Sequence, residues 1–228
     1  MSAWHKASKL HPMKGLALTL GLIAVCSVST RSSATVVKAH TLDEKTQISS
    51  LIVRGTVKSV AADWFETNKS AQTLITLKVS EVLKGTIPQT REIVIRQPGG
   101  KIGDFDHRVE GVSRWEANEE VIMFLEPLRV KGHTGLYVEL GIGIGKYEVR
   151  YRAKKAFVHH NPRVALARYD ASQNMTVEPA KKMTPIELEA FRAEVLSYVN
   201  GKKRVRMPPQ PVPSVETPLK KKKSEVRQ

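Results

Sequence analysis

The sequence predicts a mainly β fold, a small antiparallel barrel or sandwich with a short helix before it and one packed helix after it. Three observations carry that prediction. Segments 51–60, 73–83 and 91–97 alternate apolar and polar residues, which gives each strand one buried face and one wet face. The run "EVIMFLE" (120–126) is apolar without interruption between charged ends. Its length suits a strand covered on both faces better than a helix. Finally, glycine-containing connections join consecutive segments, as in small barrels and sandwiches.

The chain opens with a targeting pattern. Lys6, Lys9 and Lys14 flank "LALTLGLIAVCSV" (16–28), an uncharged run shorter than the roughly 20 apolar residues that cross a bilayer. It fits the apolar core of a secretory signal, with Ser32 and Ala34 as the small residues ahead of cleavage before Thr35. "MKGLALTLGL" is itself a complete signal, so translation starts at Met1 or Met13. The expectation is an exported protein, periplasmic or extracellular, with residues 1–34 removed and no transmembrane anchor left. Cys26 is the single cysteine, and Val25 stands where a lipidated cysteine follows a small residue, so no lipid anchor is expected. The mature chain then has no cysteine, hence no disulfide and no thiolate chemistry, in a compartment that permits both.

Residues 35–201 are of single-domain size. Thr41 followed by Glu44 is a capping-box signature, placing a short helix over 42–49. In "LIVRGTVKSV" Leu51, Val53, Gly55 and Val57 share one face, opposite Arg54, Thr56 and Lys58. "TLITLKVSEVL" turns Ile75, Leu77 and Val79 inward, and "REIVIRQ" does the same with Ile93 and Ile95. Strands "GLYVEL" (135–140) and "KYEVRYR" (146–152) flank "GIGIG" (141–145), whose glycines allow bends or a bulge. "KAFVHH" (155–160) and "RVALARY" (163–169) read as edge strands. A helix over 185–200 follows, with Thr184 as N-cap, Pro185 at N1, Glu187 closing a capping box and Gly201 as the stop. Its stripe of Leu188, Phe191, Val195 and Tyr198 or Val199 reads as packing against the sheet.

Charge is unevenly placed. Of 37 basic and 22 acidic residues, 24 and 20 fall within 35–201, so that region is only mildly basic. Residues 202–228 hold nine basic and two acidic residues among five prolines, a composition that favours a disordered tail. Lys220, Lys221, Lys222 and Lys223 would attract polyanions in a salt-dependent way. No aromatic residue is interleaved with them, which argues against base stacking and specific nucleic-acid readout.

"QPGGKIGDFDH" (97–107) is the stretch that most invites a site assignment. A phosphate-cradling P-loop needs Ser or Thr after the lysine, but Ile102 follows Lys101, with no helix pattern behind it. A calcium loop needs about six oxygen ligands, and Asp104 and Asp106 supply two, with Glu110 off register. His107 has no second histidine at helical spacing. The stretch reads as chain geometry, with Pro98 ending a strand, Gly99 and Gly100 turning and Gly103 reversing the backbone. Asp104, Asp106 and His107 are then binding candidates on a rim. His159 and His160, as neighbours, point to opposite faces of a strand. Ser80 and Ser113 show no partner base or acid, and Glu116, Glu119 and Glu120 read as a solvated turn. There is no HExxH, CxxC or GxSxG. No catalytic residue, metal site or cofactor is expected.

"LIVRGTVKSV", "TLITLKVSEVLKGTI", "IVIRQPGGKIG", "ANEEVIMFLE" and "GIGIGKYEV" together resemble a group of uncharacterised secreted bacterial β-rich proteins with the order VLKG, PGG, GEE-V-FL. Asn118 stands where those proteins carry glycine. The first helix-strand and "VSEVLKG" also resemble the OB-like barrel of netrin and tissue metalloproteinase-inhibitor domains. That resemblance implies an OB-like barrel here. The inhibitors' N-terminal cysteine has no counterpart after Thr35, so their mechanism does not carry over. The functional expectation is a non-enzymatic exported binding module for a protein or an anionic polymer. The alternatives are a protease-associated inhibitor or chaperone-like module acting through the barrel rim, and, third, a hydrolase.

Overall fold

A computed structural model describes residues 35–65, 69–130, 135–170, 172–179 and 181–201. Residues 1–34, read as a signal, and residues 202–228, Lys220 to Lys223 included, lie outside the described residues. In chain order the elements are β1 (Val36–Lys38), α1 (Leu42–Ile48), β2 (Leu51–Phe65), β3 (Ser70–Lys84), β4 (Glu92–Pro98), β5 (Gly100–Ile102), β6 (Phe105–His107), β7 (Glu120–Pro127) and β8 (Leu136–Glu139). They continue as the short turn α2 (Gly141–Ile144), β9 (Lys146–Arg152), β10 (Lys155–His159), β11 (Ala165–Tyr169), β12 (Met175–Glu178), β13 (Ile186–Glu187) and α3 (Leu188–Val199).

The protein is mainly β. Eight strands form one sheet in the order β13-β10-β9-β7-β2-β3-β4-β8, and β8 also pairs with β7. The β4–β8 pairing is parallel, with Val94 beside Leu136, whereas β7–β8 is antiparallel, with Leu125 beside Glu139. Pairings therefore run from β7 through β2, β3, β4 and β8 back to β7. Two smaller sheets accompany this one, β1-β11-β12 and the β5–β6 hairpin.

Sequence alternation explains where the two cores sit. Leu51, Val53 and Val57 of β2 meet Ile75, Leu77 and Val79 of β3 and Ile93 and Ile95 of β4 in one cluster. The uninterrupted run of β7 serves both sides of its sheet. Val121, Met123 and Leu125 enter that first cluster, while Ile122 and Phe124 enter a second. There they meet Ile52, Tyr147, Val158 and the α3 residues Leu188, Phe191 and Val195. All five β7 side chains from Val121 to Leu125 are at most 1% exposed. Fully burying a side chain of this size contributes about 1.5–3 kcal/mol, so this strand anchors both layers.

The first helix forms with its capping box in place: the Glu44 backbone N–H donates to Thr41 Oγ1, and Thr41 N–H donates to Glu44 Oε2 at 2.9 Å. The second capping box does not form. α3 begins at Leu188, not at Pro185, and Glu187 makes no side-chain cap. The reason is competition from the sheet. Ile186 and Glu187 pair with Val158 and Phe157 of β10, and the Glu187 carboxylate lies 3.6 Å from Lys155 Nζ, away from Thr184. The stop agrees with the sequence: Gly201 follows the helix at φ +70° and its N–H donates to the Tyr198 carbonyl. An ion pair between Arg192 and Glu81, 2.5 Å, ties α3 to β3.

"QPGGKIGDFDH" is a β-hairpin rather than a loop. Gly100, Lys101 and Ile102 pair with His107, Asp106 and Phe105 around a two-residue turn at Gly103–Asp104. The double glycine is needed because the hairpin folds back tightly. Gly99 has φ +85°, and a Cβ there would stand 2.7 Å from the His107 carbonyl oxygen. Gly103 also has positive φ, +57°, but nothing lies within 4 Å of its would-be Cβ. Gly99→Ala should therefore lower the unfolding free energy clearly more than Gly103→Ala, which costs only the left-handed backbone penalty of about 1–2 kcal/mol. Paired urea titrations check this, and equal losses contradict the packing of the hairpin.

Candidate functional site

The candidate site is built where the chain leaving β6 crosses the α2 turn. α2 is no regular helix, since Ile142 and Gly143 hold non-helical backbone angles. A Cβ on Gly143 would lie 2.0 Å from the Gly111 carbonyl oxygen, so the two backbones touch only because residue 143 is glycine. That contact fixes segment 108–114. Ser113 Oγ then donates to Glu139 Oε1 at 3.0 Å, and the same oxygen accepts the backbone N–H groups of Gly145 and Lys146. Trp115 Nε1 donates to Gln97 Oε1 at 2.8 Å, joining the segment to β4.

Between this segment and the β5–β6 hairpin lies a polar groove of about 380 Å³. Thr73 of β3 and Gln97 of β4 form part of its wall, and Lys101, Asp106, His107, Arg108, Glu110, Arg114 and Arg163 supply its charge. A second groove of about 280 Å³ shares Gly111, Ser113, Arg114 and Arg163 with the first. Four cationic side chains thus face two carboxylates in the larger groove. One pair is internally satisfied: Arg108 lies 2.8 Å from Asp106 and holds that carboxyl below its ordinary pKa. Arg114 and Arg163 are exposed, and their guanidinium groups have no hydrogen-bond or ion-pair partner among the described residues. Free guanidiniums converging on a polar cleft suit bidentate capture of carboxylate, sulfate or phosphate.

Two of the sequence candidates, Asp106 and His107, line this groove, whereas Asp104 sits at the exposed hairpin turn and does not. Arg114 and Arg163 were not singled out by sequence. They lie in separate segments, brought together where Gly111 packs against Val164 and Thr35 bridges Glu110 and Ala165, and neither belongs to a motif.

Of the three carboxylates read as a solvated turn, Glu116 is exposed, whereas Glu119 and Glu120 are paired. Lys146 is only 8% exposed, and its ammonium is met by Glu119 at 2.7 and 2.8 Å and by the Arg114 carbonyl. Glu120 accepts from Arg54 at 2.6 Å and from the Tyr151 hydroxyl at 2.8 Å. A buried ammonium needs such a counter-charge, which is why this turn is acidic. Ser113 also gains the acidic partner that sequence did not reveal, in Glu139. Burial pushes the Glu139 carboxyl up to about 7, against the opposing effect of its Ser113 and backbone donors.

On the far side of α2, Lys45 of α1 donates to the Ile144 carbonyl at 2.8 Å and to the Tyr147 hydroxyl at 2.9 Å. Burial brings the Lys45 ammonium down to about 8, with Glu139 acting in the opposite sense. His160 turns inward, stacked on Tyr147 at 4.3 Å with Nε2 3.0 Å from the Ile144 carbonyl oxygen. Burial, then Lys45, holds His160 down at about 3. These groups stitch α1 and the β10 end onto the α2 turn.

Among the described residues no three His, Cys, Asp or Glu side chains converge as metal ligands, and no helix is long and apolar enough to cross a membrane. No protein-family profile matches the chain, and comparison with curated proteins finds no match.

The buried carboxyl gives a pH signature. The fold holds the Glu139 proton up to about 7 while the unfolded chain releases it near the ordinary 4.5. The native state then binds more protons across that window, so this group's contribution to stability falls as pH rises from 4.5 to 7 and is level above it. Glu139→Gln keeps an acceptor and removes the titration. The wild-type minus Glu139→Gln difference in unfolding free energy should decline from pH 4.5 to 7, the opposing His160 effect being common to both proteins. A flat difference contradicts the assignment.

Proposed function

We propose that the protein is an exported, non-enzymatic binding module that takes an anionic polymer of the cell envelope. The observation that carries this reading is the pair of guanidiniums of Arg114 and Arg163, without partners among the described residues, facing a groove where cationic side chains outnumber carboxylates. The lysine run at 220–223 adds a second, unspecific attraction for the same polyanion. Export rests on the basic and apolar pattern of residues 1–34.

The scaffold is best read as an OB-like barrel. Numbering β2, β3, β4, β7 and β8 as first to fifth, the first pairs with the second and fourth, and the third pairs with the second and, in parallel, the fifth. That connectivity is the one expected of a five-stranded Greek-key barrel of this class. Thr73 and Gln97, which line the groove, belong to the second and third of these strands.

Binding of dextran sulfate by the full chain, by the chain lacking residues 202–228 and by an Arg114→Ala/Arg163→Ala variant separates groove from tail. The double substitution should weaken binding at least tenfold at fixed salt. Loss of the tail should mainly flatten the salt dependence. Binding that disappears with the tail and ignores both arginines contradicts the groove assignment. Hydrolysis of an envelope polymer by purified protein, abolished by Ser113→Ala or Glu139→Gln, overturns the non-enzymatic reading.

A further inference from the structure

We propose that the groove's ligand is an acidic polysaccharide, whose sugar rings stack on an exposed aromatic pair, Trp64 and Phe105, at the groove's end. The assignment rests on the anion-groove reading and adds a second contact to it.

Trp64 and Phe105 are 41% and 48% exposed, yet their ring centroids are only 5.1 Å apart. Single exposed aromatics are ordinary, whereas two in contact present adjoining ring faces on which a sugar ring can stack. The pair is also held in place. Phe105 is paired with Ile102 in the hairpin, and the hairpin is seated on β2, where a Cβ on Gly100 would lie 3.1 Å from that of Ala62. Ala62 and Trp64 alternate onto the same face of β2, so the seating brings Phe105 over Trp64. The platform is continuous with the groove through His107, whose ring lies 6.4 Å from that of Phe105 and which lines the groove itself.

Hydrogen bonding selects among polyanions that could stack there. Arg114 and Arg163 both line the groove, and the carboxylates Asp106 and Glu110 line it with them. Carboxylates accept hydrogen bonds from sugar hydroxyls, which a polymer of uronic acids offers on every ring and the backbone of single-stranded DNA does not. A polymer with roughly one acidic group per sugar, many hydroxyls and apolar C–H ring faces meets every feature of the path. Single-stranded DNA would use the aromatic pair but has no hydroxyls along its backbone for those carboxylates to accept from.

Titration calorimetry at one salt concentration tests this with oligogalacturonate, inorganic polyphosphate and oligo(dT). Oligogalacturonate should bind tightest. Trp64→Ala and Phe105→Ala should each weaken it about tenfold, the scale of a lost ring-stacking contact, and leave polyphosphate within twofold. Trp64→Phe, which keeps a stacking face, should retain most of the affinity. Uronate binding indifferent to both alanine variants overturns the aromatic assignment while the anion groove stands. Tighter binding of oligo(dT), weakened by the same variants, overturns the sugar in favour of nucleic acid. No binding of any of the three overturns both this inference and the anion groove.

Discussion

Double burial of β7 is the constraint on which the rest of the structure depends. Residues 121–125 send alternate side chains into two different hydrophobic clusters. The same strand hydrogen-bonds to β2 and β9, and to β8 at its C-terminal end. Removing any large side chain here opens a cavity in a layer that cannot easily collapse, a loss of about 2–5 kcal/mol. Each layer therefore holds the other in register. A one-residue slip of β7 would exchange the two sets of side chains between cores of different shape.

From that strand the polar chemistry follows. The turn entering β7 must neutralise Lys146 at the start of β9, and Glu119 does so from within the turn. β8 ends on Glu139, where one carboxyl oxygen gathers the Ser113 hydroxyl and two backbone donors. These buried contacts fix the backbone that carries Arg114. Its guanidinium, and that of Arg163, is left free for solvent or ligand. Buried Lys146 is paired with Glu119, whereas the exposed guanidiniums of Arg114 and Arg163 have no partner among the described residues.

Much of the scaffold was legible in the sequence because hydrophobic period and capping are local signals. Alternation located β2, β3 and β4 with the correct inward residues, and the unbroken run of β7 announced two-sided burial. Thr41 and Glu44 closed their capping box because nothing competed for them. Thr184 and Glu187 carried the same signature and failed, because a neighbouring strand claimed that backbone. The short strands β1, β5, β6 and β12 are not legible because three or four residues show no period, and their pairing partners are supplied by the tertiary fold. The site was less legible still. Asp106 and His107 could be named from a suggestive stretch, but Arg114 and Arg163 are single residues in unrelated segments. Ser113 and Glu139 likewise meet only once Gly143 lets two backbones touch.

The central claim is that a rigid two-layered scaffold presents its cationic groove, rather than its basic tail, to a polyanion. Hydrogen–deuterium exchange of the full chain with and without an acidic polysaccharide tests it most directly. Amides of β7 should be the slowest to exchange in either state. Added ligand should slow exchange across 97–114 and around Arg163 and leave the β11–β12 edge unchanged. Protection confined to residues 202–228, with no change along the groove, would contradict the account.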